Sequence, residues 1–239
     1  MTISFRNVFF AKAFKAEEGS TLAAEIAATC GIGCVEDYSS YNPASGEPVG
    51  VYPPLAGKRV VIIDHSPTAG LVPLIEGLLD AGAKVHLRDH HADADRDGVT
   101  VASCQALLGK RAIISTRVEH PACSTLVGLG EFSDDIVVAD ADQDGVTAAL
   151  KAIGISYPEL ESDAAVLDGP HTGKTKEALS PLGFSFVRAW GAIPAFGAPN
   201  RDKVFADVVS AFASAASGEQ SGLDMLDRLA AEYERKVTN

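Results

Sequence analysis

The sequence predicts an α/β protein: a doubly wound, mostly parallel sheet with helices on both faces, plus a smaller, mainly helical C-terminal part. Three observations predict it. Short apolar runs recur at Val60-Val61-Ile62-Ile63, Val85-His86-Leu87, Ala112-Ile113-Ile114 and Ile136-Val137-Val138, as expected of strands buried on both faces of a parallel sheet. Segments with apolar residues at helical spacing lie between several of them, the alternation that builds βαβ units. Acidic or histidine-bearing turns follow three of the runs directly, at Asp64, Asp89-His90-His91 and Asp140 to Asp144.

Taken in order, residues 1–57 form an N-terminal segment expected to pack on the core. It holds one short strand at Val8-Phe9-Phe10 and a helix over 21–29, which Ser20 caps and which turns Leu22 and Ile26 to one face. Residues 30–57 are rich in Gly, Pro, Ser and Tyr and read as a long loop. A core follows over 58–165. Its first strand ends at Asp64-His65-Ser66-Pro67, and the next helix places Leu71, Leu74, Ile75, Leu78 and Leu79 three and four apart before Gly82 stops it. A strand at Lys84 to Leu87 leads into Asp89. The run at Ala112 leads to His120-Pro121-Ala122-Cys123-Ser124, with a helix expected from Ser124. After the strand at Ile136, Val146 to Ile153 reads as helix. Ala164 to Leu167 looks strand-like and delivers Asp168. In the C-terminal lobe, 166–239, Val204, Phe205, Val208, Val209 and Phe212 make one helical face, and Leu223, Leu226, Leu229, Tyr233 and Val237 another.

The bulk properties narrow the function classes. The 239 residues carry a formal net charge of −12, which argues against a broad basic surface for duplex DNA. No apolar run reaches the roughly 18 residues of a membrane span. Met1 to Arg6 lacks the basic start and long apolar run of a secretory signal, so a cytoplasmic protein is expected. Cys30, Cys34, Cys104 and Cys123 are dispersed; Cys30 and Cys34 have CxxxC spacing but no second pair to complete a zinc site. Idle thiols in a reducing compartment account for them.

Charge is concentrated at Asp89-His90-His91-Ala92-Asp93-Ala94-Asp95-Arg96-Asp97-Gly98-Val99-Thr100. Its second half recurs at Ala139-Asp140-Ala141-Asp142-Gln143-Asp144-Gly145-Val146-Thr147. Such dense anions repel one another unless cations neutralise them, and carboxylate with imidazole suits a hard-to-borderline divalent metal. An Asp-x-Asp-x-Asp-Gly run also opens an EF-hand loop, but the twelfth position here is Cys104 or Lys151 instead of Glu, and strands precede both copies. Asp93, Asp95 and Asp97 read equally well as an exposed acidic loop or as ligands. Loops leaving the C-terminal ends of parallel strands share one edge, where ligands gather. Asp64, the Asp89 turn and the Asp140 turn therefore make a site from distant parts of the chain, with carboxylates enough for a pair of divalent ions.

Val60 to Ser66 and, one helix later, Val85 to His91 resemble the second and third motifs of the DHH phosphoesterase superfamily, over roughly residues 58–150. That superfamily includes RecJ-type exonucleases, oligoribonucleases, cyclic-dinucleotide phosphodiesterases and inorganic pyrophosphatases. The resemblance implies two manganese ions, with magnesium as the alternative. It assigns Asp64 and His90 to the metals, His91 to the substrate phosphate and Asp89 to orienting the histidines, so that these four residues form the catalytic set. The family's first motif normally precedes the other two. Here Val8 to Thr21 has its outline without its aspartates, and the convincing Asp-rich version, Ile136 to Thr147, follows the Asp-His-His. Motif order is thus permuted, or this loop supplies the fourth-motif Asp; in both cases Asp140 and Asp142 complete the metal set.

His120 and His171, with Lys174 beside Lys176, are candidate substrate contacts; a structural histidine and a solvated basic turn are their alternatives. The expected activity is hydrolysis of phosphodiester bonds in nucleotides or short single-stranded oligonucleotides, with a RecJ-like single-strand exonuclease as the nearest alternative. A catalytically inactive relative that keeps the fold as a binding module is the reading from another class. A homo-oligomer is compatible with either.

Overall fold

The computed structural model describes residues 8–10, 55–69, 71–91, 99–117, 119–140, 142–156, 158–168, 179–194, 200–216 and 218–238. Of the expectations above, the helix over 21–29, Cys30, Cys34, the Asp93-Asp95-Asp97 loop and His171 to Lys176 lie outside these residues. The chain divides into two compact units. One comprises Ser4–Val118 and Asp134–Ala139, and the other Met1–Ile3, Glu119–Ser133 and Asp140–Asn239. This division cuts across the 58–165 segment read from the sequence, grouping residues 119–133 and 140–165 with the C-terminal helices.

The first unit is an α/β layer, as the sequence predicts. Strands β1 (Val8–Phe10), β2 (Arg59–Ile63), β3 (Lys84–Asp89), β4 (Ala112–Thr116) and β5 (Ile136–Ala139) form one sheet in the order β1-β5-β2-β3-β4. All four pairings are parallel. The chain steps from β2 outward to β3 and β4, then returns to the other side of β2 with β5. The order therefore reverses between β2 and β5, the switch point at which open α/β sheets leave a crevice beyond their strand ends.

Helix α1 (Leu71–Asp80) forms because Leu71, Leu74, Ile75 and Leu78 fall on one face, which is buried. That face meets Val60, Ile62, Val85, Leu87 and Val138 in the main apolar cluster. Gly82 ends the helix at φ +85°, a left-handed conformation that glycine takes without Cβ strain. β2 and β5 are buried on both faces, while β4 leaves Ile113 55% exposed, the pattern of an edge strand. The sequence reading had no helix between Asp97 and Ala112, and the structure adds α2 (Val101–Leu108). Thr100 caps it through a reciprocal pair of bonds with Ser103, satisfying backbone donors that eight residues of weak amphipathicity would otherwise leave open.

The second unit is helical: α3 (Gln143–Ala152), α4 (Pro158–Asp168), α5 (Pro181–Trp190), α6 (Arg201–Ala216) and α7 (Gln220–Thr238). Phe186 and Phe212 stack at 4.2 Å between centroids in its core. Two expectations are corrected here. No long helix starts at Ser124; a single 3-10 turn, Cys123–Thr125, is followed by turns, with the Glu131 side chain accepting from the Gly128 N–H. Ala164 to Leu167 is no strand, because Pro158 starts a helix through it, Glu159 and Glu161 favour its positive end, and Leu160 and Ala164 bury one face. Asp168 therefore closes a helix and does not leave a strand end. Part of each expected C-terminal face is buried: Val208, Val209 and Phe212 on α6, and Leu226 and Leu229 on α7. Tyr233 is 40% exposed.

Candidate metal centre

Strand register sets the geometry of the Asp-His-His group. Ile63 lies opposite Arg88, so the next residues, Asp64 and Asp89, emerge level with each other at adjacent strand ends. The Asp64 N–H still donates to the Arg88 carbonyl at 2.8 Å, and the Arg117 N–H to the Asp89 carbonyl at 2.9 Å. Asp64 then turns out of the strand at φ +63°. Aspartate is one of the few non-glycine residues that tolerate this left-handed region. The turn brings the Asp64 carboxylate towards the two histidines that follow β3.

Asp64 Oδ1 is 3.4 Å from His90 Nε2 and 3.6 Å from His91 Nδ1. One donor atom from each of these three residues lies within 4.8 Å of the others. Donors bound side by side on an octahedral ion at about 2.1 Å sit roughly 3 Å apart, so Asp64 Oδ1 and His90 Nε2, at 3.4 Å, need only a small contraction to close on a cation. Asp64 and His90 are buried, at 1% and 8% exposure. A carboxylate so removed from water is costly without a positive partner. The Asp64 oxygen with the His90 imidazole suits manganese, iron or zinc more than calcium.

Asp89 holds the cluster in place. Its Oδ1 pairs with His91 Nδ1 at 2.8 Å, and its Oδ2 accepts from the Ser66 hydroxyl at 3.2 Å. This hydrogen bond, with the charges of Asp89 and Asp64, outweighs burial and raises the His91 imidazole to about 9. The His91 side chain is 40% exposed and stacks, tilted by 46°, on His90 at 4.5 Å. In metal-free protein the protonated form is favoured on this open side of the group. His65, given no role by the sequence reading, lies buried behind it. Burial lowers its pKa to about 4, against the opposing pull of Asp89 and a hydrogen bond to the Ala139 backbone, so it is neutral at physiological pH. Ser66 was likewise missed. The available signal was position: both directly follow the carboxylate at a strand end.

The remaining predicted residues belong to the helical unit. Asp140 follows β5 directly. Asp142 is the N-cap of α3, its Oδ1 accepting from the Gly145 N–H at 2.9 Å, which starts that helix three residues earlier than the apolar pattern indicates. His120 Nδ1 pairs with the Thr125 hydroxyl at 2.9 Å, within the turn that contains the 3-10 segment. Asp144, the third aspartate of the loop, turns inward. It accepts from the Ser124 N–H at 3.0 Å and from the Cys123 N–H, and burial lifts its carboxyl to about 6. Cys123 is buried beside it. Among the described residues, no helix is long and apolar enough to cross a membrane. Comparison of the chain with models of protein families, with curated proteins and with solved structures finds no match in any of the three.

Proposed function

We propose that the protein is a manganese-dependent phosphoesterase acting on phosphodiester bonds of nucleotides or short single-stranded oligonucleotides. The observation that carries this reading is the convergence of Asp64, His90 and His91 at the carboxyl ends of adjacent parallel strands, beside the switch point of the sheet. A divalent ion held there would supply Lewis acidity towards a phosphoryl oxygen and towards water. Asp64 and His90 are the ligands of this reading.

The residues of the chain then divide the work. Asp64 provides the buried negative charge that attracts a cation. Asp89 fixes the Nδ1 side of His91 and keeps that ring protonated, so a positive, partly exposed imidazolium faces an incoming phosphate. Ser66 and His65 hold Asp89 and the strand end in place without adding charge. The chain's excess of acidic residues disfavours long duplexes, which keeps the substrate small or single-stranded.

The test uses the full chain with manganese and a panel of short oligonucleotides, cyclic dinucleotides and pyrophosphate, beside Asp64→Asn. Asparagine preserves the left-handed turn while removing the charge, so the variant should fold and lose both turnover and manganese-dependent thermal stabilisation. Manganese at about 100 times its Kd should stabilise the parent by about 2.7 kcal/mol. Equal turnover by the variant would refute the metal assignment. Manganese binding by the parent without hydrolysis of any substrate in the panel would favour the inactive binding module.

A further inference from the structure

The outer edge of β4 carries a device of its own. β4 ends the sheet and is paired on one side only, with β3, among the described residues. The Arg117 N–H donates inward to the Asp89 carbonyl, so the odd-numbered residues of β4 face β3, and Ala112, Ile114 and Thr116 turn their backbone groups outward. An edge of this kind is a template for another strand. The usual deterrents are missing inside it, since Ala112-Ile113-Ile114-Ser115-Thr116 contains no charge and no proline. Ile113 is 55% exposed, on the sheet face away from Ala112 and Ile114, which pack with the main apolar cluster.

Gln105 occupies that edge. From α2 its carboxamide nitrogen donates to the Ala112 carbonyl at 3.2 Å and to the Gly109 carbonyl at 2.5 Å, while its oxygen accepts from the Ile114 N–H at 3.3 Å. A carboxamide offers the same donor and acceptor as a peptide group. Gln105 thus takes the two bonds that a neighbouring strand would make at the centre of this edge.

We infer that Gln105 is a latch that keeps β4 from pairing with a second copy of this chain, and that opening it joins two copies through antiparallel β4 strands centred on Ile113. The side chains select the occupant. In that register each exposed Ile113 lies directly opposite its counterpart, in a non-hydrogen-bonded pair where side chains come closest. Ala112 and Ile114 exchange backbone bonds across the join, and Ser115, an uncharged residue, faces Arg111. Centring on Ile114 instead would set Arg111 against Arg117, a destabilising like-charge pair. The edge is therefore complementary to its own copy, and the bonds from Gln105 must break on both sides before the two can meet. Nothing in this depends on the Asp64 group or on the phosphoesterase reading.

Sedimentation velocity of the full-length chain over a concentration series tests it, with EDTA throughout to remove bridging by metal. Gln105→Met keeps helix propensity and side-chain length but loses every bond to the edge. It should associate at least about tenfold more tightly than the parent. Adding Ile113→Lys, which sets two ammonium groups opposite each other, should return association to the parent's level. Gln105→Asn, one methylene too short to bridge the strand, is the second variant and should behave as Gln105→Met does. Hydrogen exchange reads the latch in the parent itself: the Ile114 amide should exchange more slowly than the outward Thr116 amide, which Gln105 does not reach. The inference is overturned if neither Gln105 variant associates more tightly than the parent, if Ile113→Lys leaves the association of Gln105→Met intact, or if Ile114 and Thr116 exchange equally fast in the parent.

Discussion

Replacing Gly145 with alanine separates two effects of opposite sign. Gly145 occupies the first turn of α3, where helix propensity favours alanine by about 1 kcal/mol. An alanine Cβ at this position would collide with the Asp140 carbonyl, 2.8 Å from its carbon and 3.1 Å from the Asp140 Cα. Real Cβ contacts essentially never fall below 3.0 Å, and the obstacle is backbone, which cannot rotate away. Either the first turn of α3 or the Asp140 peptide must move. Overpacking of this kind costs about 1–3 kcal/mol, and more when a backbone has to shift. Because the obstacle is backbone the upper end of that range applies, and set against the propensity gain it leaves a net loss of about 1–2 kcal/mol. With a urea m-value of about 2 kcal/mol/M, the midpoint should fall by about 0.5–1 M. Gly128→Ala is the control: its nearest neighbour is the flexible Glu131 carboxylate at 3.4 Å, so it should shift the midpoint little. A Gly145→Ala midpoint equal to or above the parent's would refute the argument, because propensity alone would then have decided the outcome. The same result would remove the steric reason for glycine after the last aspartate of this loop.

Two further outcomes follow from the buried charges. Asp89→Asn should bring the His91 pKa in metal-free protein down from about 9 towards 6.5, because its hydrogen-bonding carboxylate is gone; histidine NMR titration reads this directly. In the parent, the His91 pairing stabilises the fold fully below pH 6.5 and its contribution is lost as pH rises through about 9. The variant should lack that decline, and an unchanged stability profile across this window would contradict the assignment. Asp144→Asn leaves one amide oxygen to serve two inward-pointing N–H groups, those of Cys123 and Ser124. It should cost about 2 kcal/mol, measured by urea denaturation, and a neutral result would show that the turn does not depend on this carboxylate.

Local pattern and distant packing separate what was legible in the sequence from what was not. β2, α1 and β3 were readable because each announces itself within a dozen residues: a continuous apolar run, leucines three and four apart, a stop at Gly82. Asp64 and Asp89 were readable as a pair because parallel strands of similar length must end level. Ala164 to Leu167 misled because four apolar residues in a row fit a strand and a buried helix equally well, and the deciding evidence, Pro158 with its acidic first turn, lies upstream. The helix expected at Ser124 failed for a different reason. Its donors are taken by Asp144, twenty residues further along, which no local pattern reveals.

The left-handed backbone at Asp64 ties the chemistry of this centre to a narrow choice of side chain. Glutamate would keep the charge, but it lacks the short polar side chain that eases the turn, and its extra methylene would carry the carboxylate past the histidines. Glycine and asparagine accept the turn but bring no anion. In the proposed metal reading, requirements from the backbone and from the cation overlap at one residue type. On that reading, an engineer has little freedom at position 64 and should begin with the histidines.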